Sequence, residues 1–144
     1  MLEKALILAA KAHTGQVDKG GAPYILHPIR VMLACEGEKE KIVALLHDTL
    51  EDTALTAADL RRAGFPEEIV QAVCCLTRGQ KEDYMDYIAR ICENALAARV
   101  KYADLQDNLD ISRIPNPTEK DFARIRKYEQ AMKRITRSIK GGRE

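Results

Sequence analysis

The chain has 144 residues, about one domain's worth, with 46% hydrophobic residues, 31% charged residues and a formal net charge of +1. That balance excludes a disordered chain and gives no whole-chain bias toward a polyanionic or cationic partner. No apolar stretch approaches membrane-spanning length, so no membrane is expected as a partner. The four cysteines (Cys35, Cys74, Cys75, Cys92) lack a C-x-x-C spacing and read as reduced, small packing residues of a cytoplasmic protein.

Helical periodicity runs through almost the whole chain. "LEKALILAAKAH" (2–13) places Leu2, Ala5, Leu6 and Ala9 on one face, and with the N-terminus entering this pattern directly no leader peptide is expected. "TGQVDKGGAPY" (14–24) breaks the pattern and reads as a loop. In "HPIRVMLAC" (27–35) Pro28 suits a first helical turn, which makes His27 the cap or loop residue before it. "EKEKIVALLHDTLED" (38–52) reads as one strong helix with Ile42, Leu45, Leu46 and Thr49 or Leu50 inward. Thr56 with Asp59 three residues on forms a capping box, Gly64 ends that short helix, and Pro66 opens the next with Ile69, Val70, Val73 and Leu76 buried. Further helices are expected over 81–92 and 95–110, a proline-containing connection over 113–121, and a long closing helix over 119–139. On that helix Phe122, Ile125, Met132, Ile135 and Ile139 share a spacing that reads as core packing rather than a dimer seam.

No alternating strand pattern occurs. The sequence therefore predicts an all-α protein, a single helical bundle of about seven or eight helices spanning 1–140, with 141–144 as a flexible tail. From Thr118 onward nine Lys/Arg face only four acids. This run reads as a solvated helix face, with a phosphate-attracting or oligomer-forming surface as the alternative.

The segment "LLHDTLEDT" (45–53) carries the chemistry: an apolar run leads into His47, Asp48, Glu51 and Asp52. On a continuous helix His47 sits over Glu51 and Asp48 over Asp52, so one face holds an imidazole and three carboxylates. Those carboxylates would repel and raise one another's pKa unless a cation joined them. An acidic, capping helix end is the alternative, but acids at a helix C-terminus oppose the macrodipole. Two other segments add donors. "PYILHPIRV" contributes His27, one of only three histidines, and "VKYADLQDNLD" places Lys101, Asp104 and Asn108 on one helix face among apolar neighbours. An Asp in that setting needs a partner. His27, His47, Asp48 and Asp104 would offer two nitrogens and two oxygens to one ion. That mixed set suits Mn²⁺, Fe²⁺ or Zn²⁺ better than Ca²⁺ or a closed structural zinc site.

Taken together, "AAKAHTGQVDKGGAPYILHPIRV", "ALLHDTLEDT" and "RVKYADLQDNLDISRI" resemble the HD-domain metal-dependent phosphohydrolases, in particular the (p)ppGpp hydrolase domain of RelA/SpoT-type proteins and the small alarmone hydrolases. The resemblance spans about residues 3–114. It implies an all-helical fold and one divalent metal, Mn²⁺ being the family's usual ion with Fe²⁺, Zn²⁺ or Mg²⁺ as alternatives, held by His27, His47, Asp48 and Asp104. It implies hydrolytic roles for Glu51 and Asp52 and nucleotide contacts from Lys19, Tyr24, Lys101 and Asn108. His13 falls in the "AH-x-GQ" opening and is expected to orient the loop by hydrogen bonding.

The implied reaction is loss of the 3′-pyrophosphate from guanosine 3′,5′-bis(diphosphate), a metal-activated water attacking phosphorus. The chain departs from the family pattern at Asp18, where a basic residue is usual, and at Leu105 and Asp107, which replace a basic residue and a histidine. Those departures leave the metal set whole and open the substrate. Another nucleotide phosphoester (a 5′-nucleotide, or NADPH losing its 2′-phosphate) is one alternative. A non-catalytic module binding nucleotide or nucleic acid through the basic closing helix is another. A small-molecule nucleotide is the partner expected, nucleic acid is not, and the oligomeric state stays open.

Overall fold

A computed structural model describes residues 1–141. The helices are α1 (Leu2–Ala12), α2 (Leu26–Leu33), α3 (Glu38–Leu46), α4 (Thr49–Asp52), α5 (Ala57–Arg62), α6 (Glu67–Cys75), α7 (Tyr84–Ile91), α8 (Ala95–Asn108) and α9 (Glu119–Gly141), with a 3-10 turn at Ile111–Arg113. All eight expected helical segments are present, and the protein is all-α. The loop after α1 adds one isolated antiparallel bridge, Val17 to Pro23. The expected tail begins one residue too early, because Gly141 closes α9; residues 142–144 lie outside the described residues.

Local chemistry sets the boundaries. Thr56 and Asp59 form the reciprocal capping box, with Asp59 N–H donating to Thr56 Oγ1 at 3.2 Å and Thr56 N–H to Asp59 Oδ2 at 2.9 Å. Gly64 takes φ +94 just past α5, where a side chain would be strained. Asp83 and Asn94 cap α7 and α8, so α7 starts three residues later than its periodicity suggests. His27 lies inside α2, with Leu26 before it, and is buried; Pro28 still falls in the first turn, where its missing N–H costs no helical bond.

The expected helix over 38–52 is in two pieces. His47 and Asp48 break it because side chains capture the carbonyls there. The His47 Nδ1–H donates to Ala44 O at 2.5 Å, and Thr49 Oγ1 donates to Leu46 O at 2.7 Å.

Helix α8 is the axis of the bundle. It packs against α2, α3, α6, α7 and α9, and eight of its residues are buried, Lys101 and Asp104 among them. Ala97, Ala98 and Ala103 keep its surface low, so neighbouring helices approach closely. Leu45, Leu46, Val70, Val73, Ile88, Val100 and Ile135 build one apolar cluster around it. Two expected core positions face outward instead: Leu6 on α1 and Phe122 on α9. The core side of α9 is drawn by Ala131 and Ile135.

Candidate metal centre

The centre is assembled from three elements that meet only in the folded chain. Helix α2 brings His27, the α3–α4 break brings His47 and Asp48, and α8 brings Asp104. His27 Nε2 lies 2.8 Å from Asp104 Oδ1 and 3.7 Å from Asp48 Oδ2. His47 Nε2 lies 3.2 Å from Asp104 Oδ1 and 3.1 Å from Asp48 Oδ2. Each Nε2 thus faces both carboxylates: His27, His47 and Asp104 form one donor group, and Asp48 also shares a second with Glu51 and Asp52.

The donor chemistry fits a cation. The Nδ1–H of His47 is committed to Ala44 O, and that of His27 donates to Asp107 Oδ2 at 2.6 Å. Both Nε2 atoms therefore face carboxylate oxygens. Lone pairs cannot be held against carboxylates without positive charge between them. Either both imidazoles carry protons or one divalent ion takes their place. Burial works against charge on His47, yet the Asp48 and Asp104 carboxylates outweigh it and hold that imidazole well above its ordinary pKa. Burial likewise opposes ionised Asp104, but Lys101, His47 and His27 keep it well below the usual carboxylate range.

A second ring of side chains holds the four in place. Lys101, itself buried, donates from Nζ to Asp104 Oδ2 at 2.8 Å, and Asn108 Nδ2 donates to Asp104 Oδ1 at 3.1 Å. The Tyr24 hydroxyl donates to Asp48 Oδ2. Asp107 accepts from Arg30 Nε at 2.7 Å and Nη2 at 3.1 Å, and lies 3.3 Å from Arg113 Nη2, while gripping His27. Burial pushes the Asp107 carboxyl up, but the His27 and Arg30 hydrogen bonds win and hold it at about 2. Sequence reasoning took Asp107 for a change in nucleotide recognition; its side chain is turned onto His27, one of the candidate ligands. Its position three residues after Asp104, on the same helix flank, is the signal that could have found it.

The other departures also resolve in the structure. Asp18 Oδ1 accepts from Gly20 N–H and Ala22 N–H, both at 2.9 Å, and shapes the loop. Leu105 is fully buried in the core, away from the cleft. His13 Nδ1 sits 2.9 Å from Gln16 Oε1, and Gln16 Nε2 donates to Asp52 O at 3.0 Å, tying the loop to the end of α4.

The centre opens into a cleft with two lobes that share Tyr24, His27, Asn108 and Tyr128. One lobe, about 320 Å³, runs past Lys19, Arg30, Arg113 and Arg124. The other, about 280 Å³, holds Glu51, Asp52, Arg78, Lys101 and Lys127. Asp48, Glu51 and Asp52 bring carboxylate oxygens within 4.8 Å of one another on the second lobe's wall. Glu51 Oε1 accepts from Arg78 N–H at 2.7 Å. Burial first, then the neighbouring carboxylates, raise the pKa of Glu51 and Asp52. Lys19 lines the first lobe, with its Nζ 3.5 Å from Asp121 Oδ1. Arg30, Arg78, Arg113, Tyr84 and Tyr128 escaped sequence reasoning, since they reach the cleft from separate segments; Arg124 and Lys127 belong to the basic run for which a phosphate-attracting surface was the alternative reading.

No family model matches the chain. It is 32% identical over 120 residues to a guanosine-3′,5′-bis(diphosphate) 3′-pyrophosphohydrolase of Aquifex aeolicus, a match covering 75% of this chain and 17% of that protein. It is 30% identical over 128 residues to a GTP pyrophosphokinase of Myxococcus xanthus, covering 76% of this chain and 17% of that one. The chain thus spans about a sixth of the length of the curated relatives it matches. Among solved structures it resembles a metazoan ortholog of SpoT that hydrolyses ppGpp, with a TM-score of 0.76 and 26% identity over 97% of this chain and 85% of the other. Neither the sequence alignment nor the fold superposition is confined to one motif. In sequence and in fold, the chain is a homologue of the SpoT/RelA (p)ppGpp 3′-pyrophosphohydrolases.

Proposed function

We propose that the chain is a metal-dependent phosphohydrolase that removes the 3′-pyrophosphate of (p)ppGpp, with Mn²⁺ as its ion. The convergence of His27, His47, Asp48 and Asp104 beside two solvent-facing carboxylates, in a cation-lined cleft, carries this reading. His27, His47, Asp48 and Asp104 would hold the ion. When bound, it supplies Lewis-acid charge that eases ionisation of water and polarises a phosphoryl oxygen.

The protein's own groups supply the rest. Glu51 is fixed by the Arg78 N–H and Asp52 by its place one turn after Asp48, and their raised pKa values suit them to take a proton from the attacking water. The water oxygen bonds to the phosphorus next to the ribose 3′-oxygen, the P–O3′ bond breaks, and that oxygen leaves with a proton as the 3′-hydroxyl. Pyrophosphate is the second product. Lys101 and Asn108 hold Asp104 and line the cleft, Tyr24 holds Asp48, and Lys19 sits at the nucleotide lobe's rim. The reaction needs only a small-molecule nucleotide as partner. No helix of the described residues is long and apolar enough to cross a membrane. We place the protein in the cytoplasm, where its free cysteines stay reduced.

A second reading keeps the chemistry and changes the substrate. It is favoured by the pairing of Lys19 and Arg30 with carboxylates at the nucleotide lobe, which leaves that lobe few unspent charges. The test is pyrophosphate release from ppGpp by metal-stripped protein given back Mn²⁺, beside a panel of 5′-nucleotides and NADPH. Release from ppGpp alone supports the first reading; silence on ppGpp with turnover of another phosphoester supports the second.

A further inference from the structure

The two lobes of the cleft carry similar numbers of cations but opposite charge states. In the first lobe every cation is already paired. Lys19 lies 3.5 Å from Asp121 and Arg124 is bonded to the same carboxylate; Arg30 is bonded to Asp107, and Arg113 lies 2.8 Å from Asp110. In the second lobe Lys101 is spent on Asp104, but Arg78 and Lys127 have no carboxylate within ion-pair distance among the described residues. Arg78 donates from Nε to the Glu82 backbone carbonyl at 2.9 Å, and its guanidinium lies 5.3 Å from the Tyr84 ring centre. Lys127 Nζ lies 4.4 Å from the same ring and 5.8 Å from that of Tyr128. The Tyr84 hydroxyl is buried without a hydrogen-bond partner in the protein. Burial lowers the Lys127 pKa, and the charges acting on it, Arg78, Arg124 and Lys101, are all positive. Two half-buried cations thus lie against one aromatic ring with no carboxylate in ion-pair contact, and each keeps charge to offer to an anion.

We propose that Arg78 and Lys127 form the subsite for the outer phosphate of a diphosphate group. The inference rests on the phosphohydrolase reading above and sets the substrate's direction. The phosphorus under attack lies at the metal centre, the phosphate beyond it lies between Arg78 and Lys127, and the nucleoside fills the charge-balanced first lobe. A diphosphate ester then gains from this pair, and a monophosphate ester at the same position does not. Lys127 is accordingly the residue that makes the site prefer a pyrophosphate leaving group.

Competition by inorganic pyrophosphate, measured by titration calorimetry and as inhibition, tests the assignment on the full chain loaded with Mn²⁺. Lys127→Gln is expected to weaken pyrophosphate binding about tenfold, the loss of one charge-assisted hydrogen bond. It should leave inorganic phosphate and Mn²⁺ affinity unchanged and erase the preference for a 3′-diphosphate over a 3′-monophosphate nucleotide. Lys127→Arg should restore both, which a folding defect would not allow, and Lys133→Gln on the exposed side of α9 should change neither. Unchanged pyrophosphate affinity in Lys127→Gln, with ppGpp still turned over, overturns the subsite and leaves the proposed function standing. Weakened pyrophosphate binding in a protein that never turns over ppGpp supports the subsite and removes the proposed substrate instead.

Discussion

Replacing Asp107 with alanine tests the metal centre through a residue that would not touch the ion. The change removes the 2.6 Å acceptor of the His27 Nδ1–H and both contacts to Arg30. His27 is then free to rotate or to take the other tautomer, either of which aims the wrong atom at the centre. Loss of such an orienting partner costs roughly 10–100-fold in metal affinity, about 1.4–2.7 kcal/mol. Asp107→Asn should fall between, since its amide oxygen still accepts from His27 while its amide nitrogen faces Arg30. The Asp107 carboxyl is held at about 2, so the clamp stays ionised through the neutral range and fails only as pH falls toward that value. Mn²⁺ dissociation constants of metal-stripped protein, read from the free-ion paramagnetic resonance signal, give the result. A constant within twofold of the parent in Asp107→Ala, while His47→Ala abolishes binding, would refute the reasoning.

Four further outcomes follow from the same geometry. Glu51→Gln should keep Mn²⁺ affinity and lose about 10²–10⁴ in turnover; full activity in that variant sinks the proton-accepting role. Lys101→Met removes the buried cation bonded to Asp104, leaving only His27, His47 and Asn108 on it, and should cost about 1.5–3 kcal/mol in metal-free protein. Saturating Mn²⁺ should recover part of that loss, which urea melts with and without the ion will show. Gly20→Ala sets a Cβ about 2.5 Å from the Arg113 carbonyl. The loop must shift, so KM should rise with Mn²⁺ affinity unchanged, as steady-state kinetics and metal titration would report. Thr56→Ala breaks the α5 capping box at a cost of about 1 kcal/mol, visible in the melting temperature and not in turnover.

Helical periodicity, caps and breakers are local properties, and on them the sequence was a sound guide. The capping box at Thr56, the stop at Gly64 and the buried face of α6 all follow from residues a few positions apart. The nomination of His27, His47, Asp48 and Asp104 rested on residue type, because buried ionisable groups among apolar neighbours are costly unless they share a partner. Reading by periodicity failed where side chains outbid the helix for its own carbonyls, and where the partner lay far away in the chain. The α3–α4 break depends on an imidazole and a hydroxyl taking backbone carbonyls, and a periodicity that stays apolar across residues 42–50 cannot show it. Asp107 looked like a lost nucleotide contact because its partners, His27 and Arg30, lie about eighty positions away in the chain. Which cations are spent and which are free was likewise a question of tertiary structure: Lys19 and Arg124 meet over Asp121, whereas Arg78 and Lys127 meet over Tyr84. Residue types set what chemistry the chain can perform; helix packing decides which charges remain available to perform it.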